Sequence, residues 1–133
     1  MAVAPLDELA GNSDVLSVHA ALTPSTRGLV DARLLSLMPR GSYLLNASRG
    51  PLVDEAALLD ALDTGRLAGA GLDVFTQEPL PVDHPLRHHP RTVVTPHIGW
   101  VTDEAYEHFV SRAVELIEDY VHGAALPAFD DVH

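Results

Sequence analysis

The fold is decided by residues 42–74, which read SYLLNASRGPLVDEAALLDALDTGRLAGAGLDV. Two short apolar runs, Ser42 to Asn46 and Ala68 to Val74, predict strands on either side of a segment whose leucines and alanines recur at helical spacing. Asp54 stands where a helix N-cap belongs, and Gly65 can adopt the left-handed conformation that closes a helix. This order of strand, helix and strand predicts a βαβ unit with parallel strands and a right-handed crossover.

The same alternation extends to both sides of that unit. Upstream, the apolar run Val15 to Val18 predicts another strand, and Asp31 is suited to cap a short helix. Downstream, a long loop from Phe75 to Arg91 contains several prolines and leads to a short strand, Thr92 to Thr95. An amphipathic helix is predicted from Thr102 to Gly123. The sequence therefore predicts an α/β fold, with helices against both faces of a parallel sheet of about four strands.

Composition narrows the class of function. The 133 residues include 19 acidic and 8 basic side chains, every base is an arginine, and the formal net charge is -11. Such a surface repels phosphate backbones and anionic lipids, so we expect neither nucleic acid nor a membrane as a partner. Cysteine is absent, which excludes disulfides and cysteine-ligated metal sites within this sequence. Residues 1–9 have neither a basic segment nor a long apolar run, so we expect a cytoplasmic protein.

Four motifs follow one another along the chain. They are Asp14-Val-Leu-Ser-Val-His19 with Leu22-Thr-Pro-Ser-Thr-Arg-Gly28, Leu45-Asn-Ala-Ser-Arg-Gly50, Gly71-Leu-Asp-Val-Phe75 with Glu78-Pro79, and Thr95-Pro-His-Ile-Gly99. In this order and at these spacings they resemble the C-terminal part of the NAD(P)-binding domain of the D-isomer-specific 2-hydroxyacid dehydrogenase family. The resemblance implies a partial Rossmann-like domain over residues 1–123, followed by a tail over residues 124–133. It also implies hydride transfer between NAD or NADP and a 2-hydroxy or 2-oxo acid.

The resemblance also implies roles for individual side chains. Arg49 corresponds to the cation that holds the substrate carboxylate, and its planar guanidinium suits that task because it can donate two parallel hydrogen bonds. His97 corresponds to the residue that accepts and returns the hydroxyl proton, and Glu78 to the acid that orients the histidine ring. Asp73 corresponds to the residue that approaches the nicotinamide. The residues with implied cofactor contacts are Ala20, Ala47, Ser48, Arg49, Asp73, His97 and Gly99.

One part of the family pattern does not occur in these residues. The family carries a G-x-G-x-x-G loop that binds the cofactor pyrophosphate, whereas Gly65, Gly69 and Gly71 lie before or within a predicted strand and open no helix. We therefore expect a truncated form without the glycine-rich loop and without the substrate domain. Loss of the neighbouring strand would expose the edge formed by residues 14–19, so we expect a homo-oligomer or a complementing chain at that edge.

Three other functional interpretations remain open. The chain could be a fragment without catalysis, or a subunit that needs a partner chain to supply the glycine-rich half. It could also be an interaction module, in which case substituting Arg49 and His97 would change nothing. A metal site at His84, His88 and His89 would require a helix, which the flanking prolines oppose, and we predict no metal.

Overall fold

The computed structural model describes residues 4–125 and places five helices and four strands within them. In chain order these elements are α1 (Leu6–Gly11), β1 (Val15–Val18), α2 (Ala32–Leu37), β2 (Ser42–Asn46), α3 (Glu55–Asp63), β3 (Leu67–Leu72), α4 (Pro85–His88), β4 (Thr92–Val94) and α5 (Asp103–Val121). A short 3-10 turn, Gly50–Leu52, lies between β2 and α3. The chain divides after Gly99 into two compact units, and each is described on its own.

The first unit contains a parallel sheet with the strand order β1-β2-β3-β4. Leu16 of β1 lies opposite Leu44 of β2, which in turn lies opposite Ala70 of β3. The predicted α/β class and the four parallel strands are thus confirmed. Since each new strand is added on the same side of the last, right-handed crossovers bring every connecting helix to the same face of the sheet.

The hydrophobic core lies on that face. Leu16, Leu44 and Ala70 are buried there in one cluster with leucines from α2, α3 and α4. The alternate residues of the strands point the other way, and the large apolar ones among them are exposed, namely Val15, Tyr43, Leu45 and Val93. Within this unit the flanking helices therefore cover one face of the sheet, whereas the sequence-based prediction placed helices on both.

Local signals in the sequence explain where the helices begin and end. The Asp31 carboxylate accepts the Leu34 amide at the start of α2, and the Asp54 carboxylate accepts the Ala56 and Ala57 amides at the start of α3. Gly65, just past α3, has a φ of 69°, the left-handed conformation that glycine adopts without strain. The predicted bounds of β1 and β2 are confirmed, while β3 and β4 end slightly earlier than predicted.

The loop between β3 and β4 contains a helix that the sequence-based prediction missed. Pro85 occupies the first position of α4, where a missing N–H costs nothing, and the His84 ring accepts the Leu86 amide as the N-cap. The prolines were expected to oppose a helix here, but at this position a proline favours one. Among residues 4–125 no group of three potential ligands is placed to hold a metal ion.

The second unit consists of α5 and the residues next to it. The Thr102 hydroxyl accepts the Ala105 amide as the N-cap, and Gly123 beyond the last turn has a φ of 76°. None of the residues of α5 is buried, and the Trp100 ring stacks against Tyr106 with 5.9 Å between centroids. In the described part of the chain, no helix has the length and apolar character needed to cross a membrane. The predicted tail lies mostly outside the described residues, since these end at residue 125.

Candidate active site

The polar residues singled out in the sequence meet at one edge of the sheet. Ala20 follows β1, Arg49 follows β2, Asp73 follows β3, and His97 follows β4. The carboxyl ends of parallel strands lie at a common edge, and in open α/β sheets ligands bind beyond that edge. The fold therefore gathers residues from four separate motifs into one region of the first unit.

His97 and Glu78 form the central pair of this region. The ring Nδ1 of His97 lies 2.7 Å from Oε2 of Glu78, and the other oxygen of Glu78 accepts the Phe75 amide at 2.8 Å. The hydrogen bond from His97 and then that from the Phe75 amide lower the pKa of Glu78 below its ordinary value. Glu78 is thus an anion at neutral pH and can only accept, so His97 Nδ1 must donate and the neutral ring keeps Nε2 as a free proton acceptor.

Asp73 holds the turn that carries His97. Its carboxylate accepts the Ile98 amide at 3.0 Å, the Gly99 amide at 2.7 Å and the Thr95 hydroxyl. Burial acts to raise the pKa of Asp73, but these three hydrogen bonds outweigh it and the pKa is lowered. His97 itself has a φ of 57°, a backbone conformation that residues other than glycine rarely adopt. The anionic Asp73 therefore stabilises a turn that the backbone would not favour alone.

Two glycines allow backbone segments to approach closely in this region. A Cβ on Gly99 would lie 2.9 Å from Oδ2 of Asp73, so a larger residue would disturb the bonds to that carboxylate. A Cβ on Gly50 would lie 2.0 Å from the carbonyl carbon of Phe75, a contact that cannot exist without movement of the main chain. Gly50 thus lets the segment after Arg49 lie directly against the start of the loop that carries Glu78.

Asn46 was not assigned a role from the sequence, yet it shapes the turn before Arg49. Its side chain is 1% exposed, its Nδ2 donates to the Arg49 carbonyl at 2.9 Å, and its Oδ1 accepts the Ser48 amide at 3.1 Å. The Ser48 hydroxyl in turn donates to the Ala20 carbonyl at 2.8 Å, which links the ends of β1 and β2. An asparagine at an inward-facing strand position is the sequence signal that could have identified this role.

Arg49 is exposed and its guanidinium donates to the Ser48 carbonyl at 2.7 Å. Within residues 4–125 it forms no ion pair with a carboxylate and no hydrogen bond with His97 or Glu78. Its charge nevertheless contributes to lowering the pKa of Glu78. The guanidinium is therefore close enough to influence the His97–Glu78 pair and retains donors for an anionic ligand.

A cleft of about 520 Å³ opens beside the His97–Glu78 pair. The lining consists of Phe75, Glu78, Pro79, Leu80, Arg87, Val94, Thr95, Pro96 and His97. Its wall is mainly apolar, with few polar groups, a composition typical of small-molecule sites. Arg49 and Asp73 do not line it, so the cleft covers only one side of the region that the sequence motifs define.

Comparison with known proteins agrees with the four motifs. A family model described as D-isomer specific 2-hydroxyacid dehydrogenase, NAD binding domain, matches residues 1–99. A putative 2-hydroxyacid dehydrogenase of Haemophilus influenzae is 43% identical over 121 residues, which cover 88% of this chain and 38% of that protein. A hydroxypyruvate reductase of Blautia hydrogenotrophica is 41% identical over 119 residues, covering 90% of this chain and 37% of that protein. The chain therefore spans less than two fifths of the length of these relatives.

Solved structures show the same similarity in three dimensions. A protein of Thermus thermophilus superposes with a TM-score of 0.86 at 46% identity, over 92% of this chain and 39% of the other. A D-isomer specific 2-hydroxyacid dehydrogenase of Xanthobacter autotrophicus, solved in complex with NADPH and MES, superposes with a TM-score of 0.80 at 40% identity. That superposition covers 91% of this chain and 49% of the Xanthobacter chain.

Proposed function

Because this chain belongs to the NAD binding domain of the D-isomer specific 2-hydroxyacid dehydrogenase family, we propose that it supplies the proton-transfer half of an oxidoreductase site. The reaction interconverts a 2-hydroxy acid and a 2-oxo acid, with NAD or NADP as the hydride acceptor in one direction and its reduced form as the hydride donor in the other. The observation that carries this proposal is the 2.7 Å contact between His97 Nδ1 and Glu78, which leaves His97 Nε2 free to accept a proton.

The proposed roles follow from the chemistry of the three side chains. Arg49 holds the substrate carboxylate through its guanidinium, which pairs with no carboxylate within residues 4–125, and so places the hydroxyl group toward His97. His97 Nε2 accepts the hydroxyl proton during oxidation and returns it during reduction. Glu78 keeps the ring in the required tautomer and stabilises the imidazolium that forms. When bound, the oxidised nicotinamide supplies the acceptor for the electron pair that leaves the substrate carbon.

The residues at the sheet edge fit the nicotinamide end of such a cofactor. Ala47 and Gly99 lie near each other with small or absent side chains, since a Cβ on Gly99 would be 3.9 Å from that of Ala47. Asp73 Oδ2 accepts one amide at 2.7 Å and keeps a second lone pair for a carboxamide N–H. We propose that the cofactor contacts are made by Ala20, Ala47, Ser48, Arg49, Asp73, His97 and Gly99.

The cofactor pyrophosphate needs a second element that these 133 residues do not contain, because no G-x-G-x-x-G loop occurs among them. In the described structure β1 ends the sheet, so its outer edge has no paired strand, and Val15 beside it is 54% exposed. Unpaired strand edges recruit further strands. We propose that residues 1–123 act as part of a dinucleotide-binding domain, completed at this edge by a segment that carries the phosphate-binding loop.

A graft tests the proposed function. The 121 matching residues of the Haemophilus influenzae relative would be replaced by this chain, so that the rest of the relative supplies the missing elements. Reduction of glyoxylate and hydroxypyruvate, the compounds in the names of two relatives, would be followed with NADH and with NADPH. We expect substrate-dependent oxidation of at least one cofactor. A graft that folds but oxidises neither cofactor with any 2-oxo acid tested would contradict the proposal.

A further inference from the structure

Glu55 contacts the loop that carries Glu78 at two places. It is the first residue of α3, and its Oε1 accepts the Thr76 amide at 2.8 Å. Its Oε2 lies 3.5 Å from Nε2 of His84. The side chains of Glu55 and His84 are only 23% and 21% exposed, so their mutual contact lies in a partly desolvated setting. One carboxylate thus reaches both ends of the segment from Thr76 to His84.

The segment between those two contacts contains Glu78. At the start of this segment, two adjacent backbone amides each donate to a carboxylate. The Phe75 amide donates to Glu78, and the Thr76 amide donates to Glu55. The end of the segment is held by His84, whose other ring nitrogen caps α4. From Asp73 to His84 the chain forms no helix or strand, so side-chain contacts must fix its course.

We propose that Glu55 is a positioning residue for the active site, which fixes the loop so that Glu78 is directed at His97. The inference rests on the proposed role of His97 in proton transfer. Glu55 has no hydrogen bond to His97 and lies outside the lining of the adjacent cleft. It therefore acts through a hydrogen bond from the Thr76 amide, which is strengthened because the acceptor is charged, and through its 3.5 Å approach to His84.

A simpler role for Glu55 must be separated from this one. An acid in the first turn of a helix is favoured by the helix dipole whatever it touches in the loop. The two roles differ in what they require of the side chain. The helix dipole needs only the negative charge, whereas the loop contact needs an oxygen that reaches the Thr76 amide.

Three substitutions of Glu55 make that separation. Glu55→Asp keeps the charge but shortens the reach by one methylene, Glu55→Gln keeps the reach but removes the charge, and Glu55→Ala removes both. Asp60→Ala is the matched control, since Asp60 is an exposed acid on the same helix and its side chain forms no hydrogen bond or ion pair with residues 73–84. The 133-residue chain is used throughout, and the titration of the Glu78 carboxyl is followed by carbon-13 NMR.

We expect the pKa of Glu78 to rise toward 4.5, its ordinary value, in Glu55→Asp and Glu55→Ala, because the loop no longer holds Glu78 against His97. It should rise less in Glu55→Gln, which keeps the contact with the Thr76 amide but loses the one with His84, and it should stay at the wild-type value in Asp60→Ala. Hydrogen exchange of the Thr76 amide should become faster in Glu55→Asp and Glu55→Ala, but not in Glu55→Gln or Asp60→Ala. If Glu55→Ala does not fold, Glu55→Asp carries the test alone, since it preserves the helix N-terminus.

Two results would overturn the inference. One is a Glu78 titration that is unchanged in both Glu55→Asp and Glu55→Ala. The other is a shift in Glu55→Gln with none in Glu55→Asp, which would assign Glu55 to the helix dipole. The titration requires neither cofactor nor substrate, so a graft without dehydrogenase activity would refute the proposed function without deciding this point.

Discussion

The Glu78 carboxylate accepts a hydrogen bond from His97 Nδ1 across 2.7 Å, although the two residues lie 19 positions apart. Glu78 lies in the loop that follows β3, and His97 lies in the turn that follows β4. This one contact determines which ring nitrogen is available for chemistry. The first prediction concerns this pair.

Replacing Glu78 by glutamine should impair proton transfer with little loss of fold. The glutamine oxygen can still accept the Phe75 amide, but its NH₂ group then faces His97 Nδ1 and forces that nitrogen to become the acceptor. Nε2 would carry the hydrogen and could no longer act as a base. We expect kcat/KM for 2-hydroxy acid oxidation by the graft to fall roughly 10²- to 10⁴-fold, the range for loss of an orienting carboxylate. An unchanged kcat/KM would argue against the tautomer assignment.

Asp73→Asn should destabilise the turn that carries His97. An amide cannot accept from the Ile98 and Gly99 N–H groups and the Thr95 hydroxyl together without bringing a donor against a donor. Loss of a buried hydrogen-bond partner costs about 1–3 kcal/mol. We expect a decrease of that size in the free energy of unfolding of the chain at pH 7, measured by urea denaturation.

The effect of Asp73→Asn should also depend on pH in a defined direction. The folded state lowers the pKa of Asp73 below its ordinary value of 3.8, so its contribution to stability is fully present above that value. The contribution is lost as the pH falls through the lowered value in the folded state. The difference between wild type and Asp73→Asn should therefore be constant from pH 7 to about pH 5 and shrink below pH 3.8. A difference that grew on acidification would contradict the assignment.

Gly50→Ala tests the close approach of two backbone segments. The added Cβ would lie 2.0 Å from the Phe75 carbonyl carbon, so one segment must move. We expect a loss of about 1–3 kcal/mol of stability, as for overpacking in a core. Gly11→Ala is the matched control, because its Cβ would meet nothing closer than 3.8 Å and it lies in helix α1. The control should be neutral or slightly stabilising in the same denaturation experiment.

Local features of the sequence predicted much of the fold. The strands Val15–Val18 and Ser42–Asn46 have the predicted bounds, and Asp54 caps α3 as predicted. Each of these depends on residues that are neighbours along the chain. The same holds for Gly65 just past α3, where the left-handed conformation follows directly from the residue type.

The contacts that organise the site have no local signature. The Asp73 carboxylate binds amides 25 and 26 positions away, and Gly50 touches Phe75 across the space between two loops. Within the first unit, the one-sided arrangement of helices depends on the strand order, which periodicity does not reveal. The short helix α4 departs from the expectation that prolines break helices, because Pro85 lies in the first turn, where a proline favours a helix.

The most direct test of the central claim is kcat/KM for 2-oxo acid reduction by the graft and by its His97→Ala and Arg49→Ala variants. Arg112→Ala serves as the control, because in the described part of the chain Arg112 pairs only with Glu115 on the exposed helix α5. We predict a loss of at least about 10²-fold for each of the two site variants and no change for the control. Equal activity in the graft and in both site variants would show that Arg49 and His97 do not carry out the reaction.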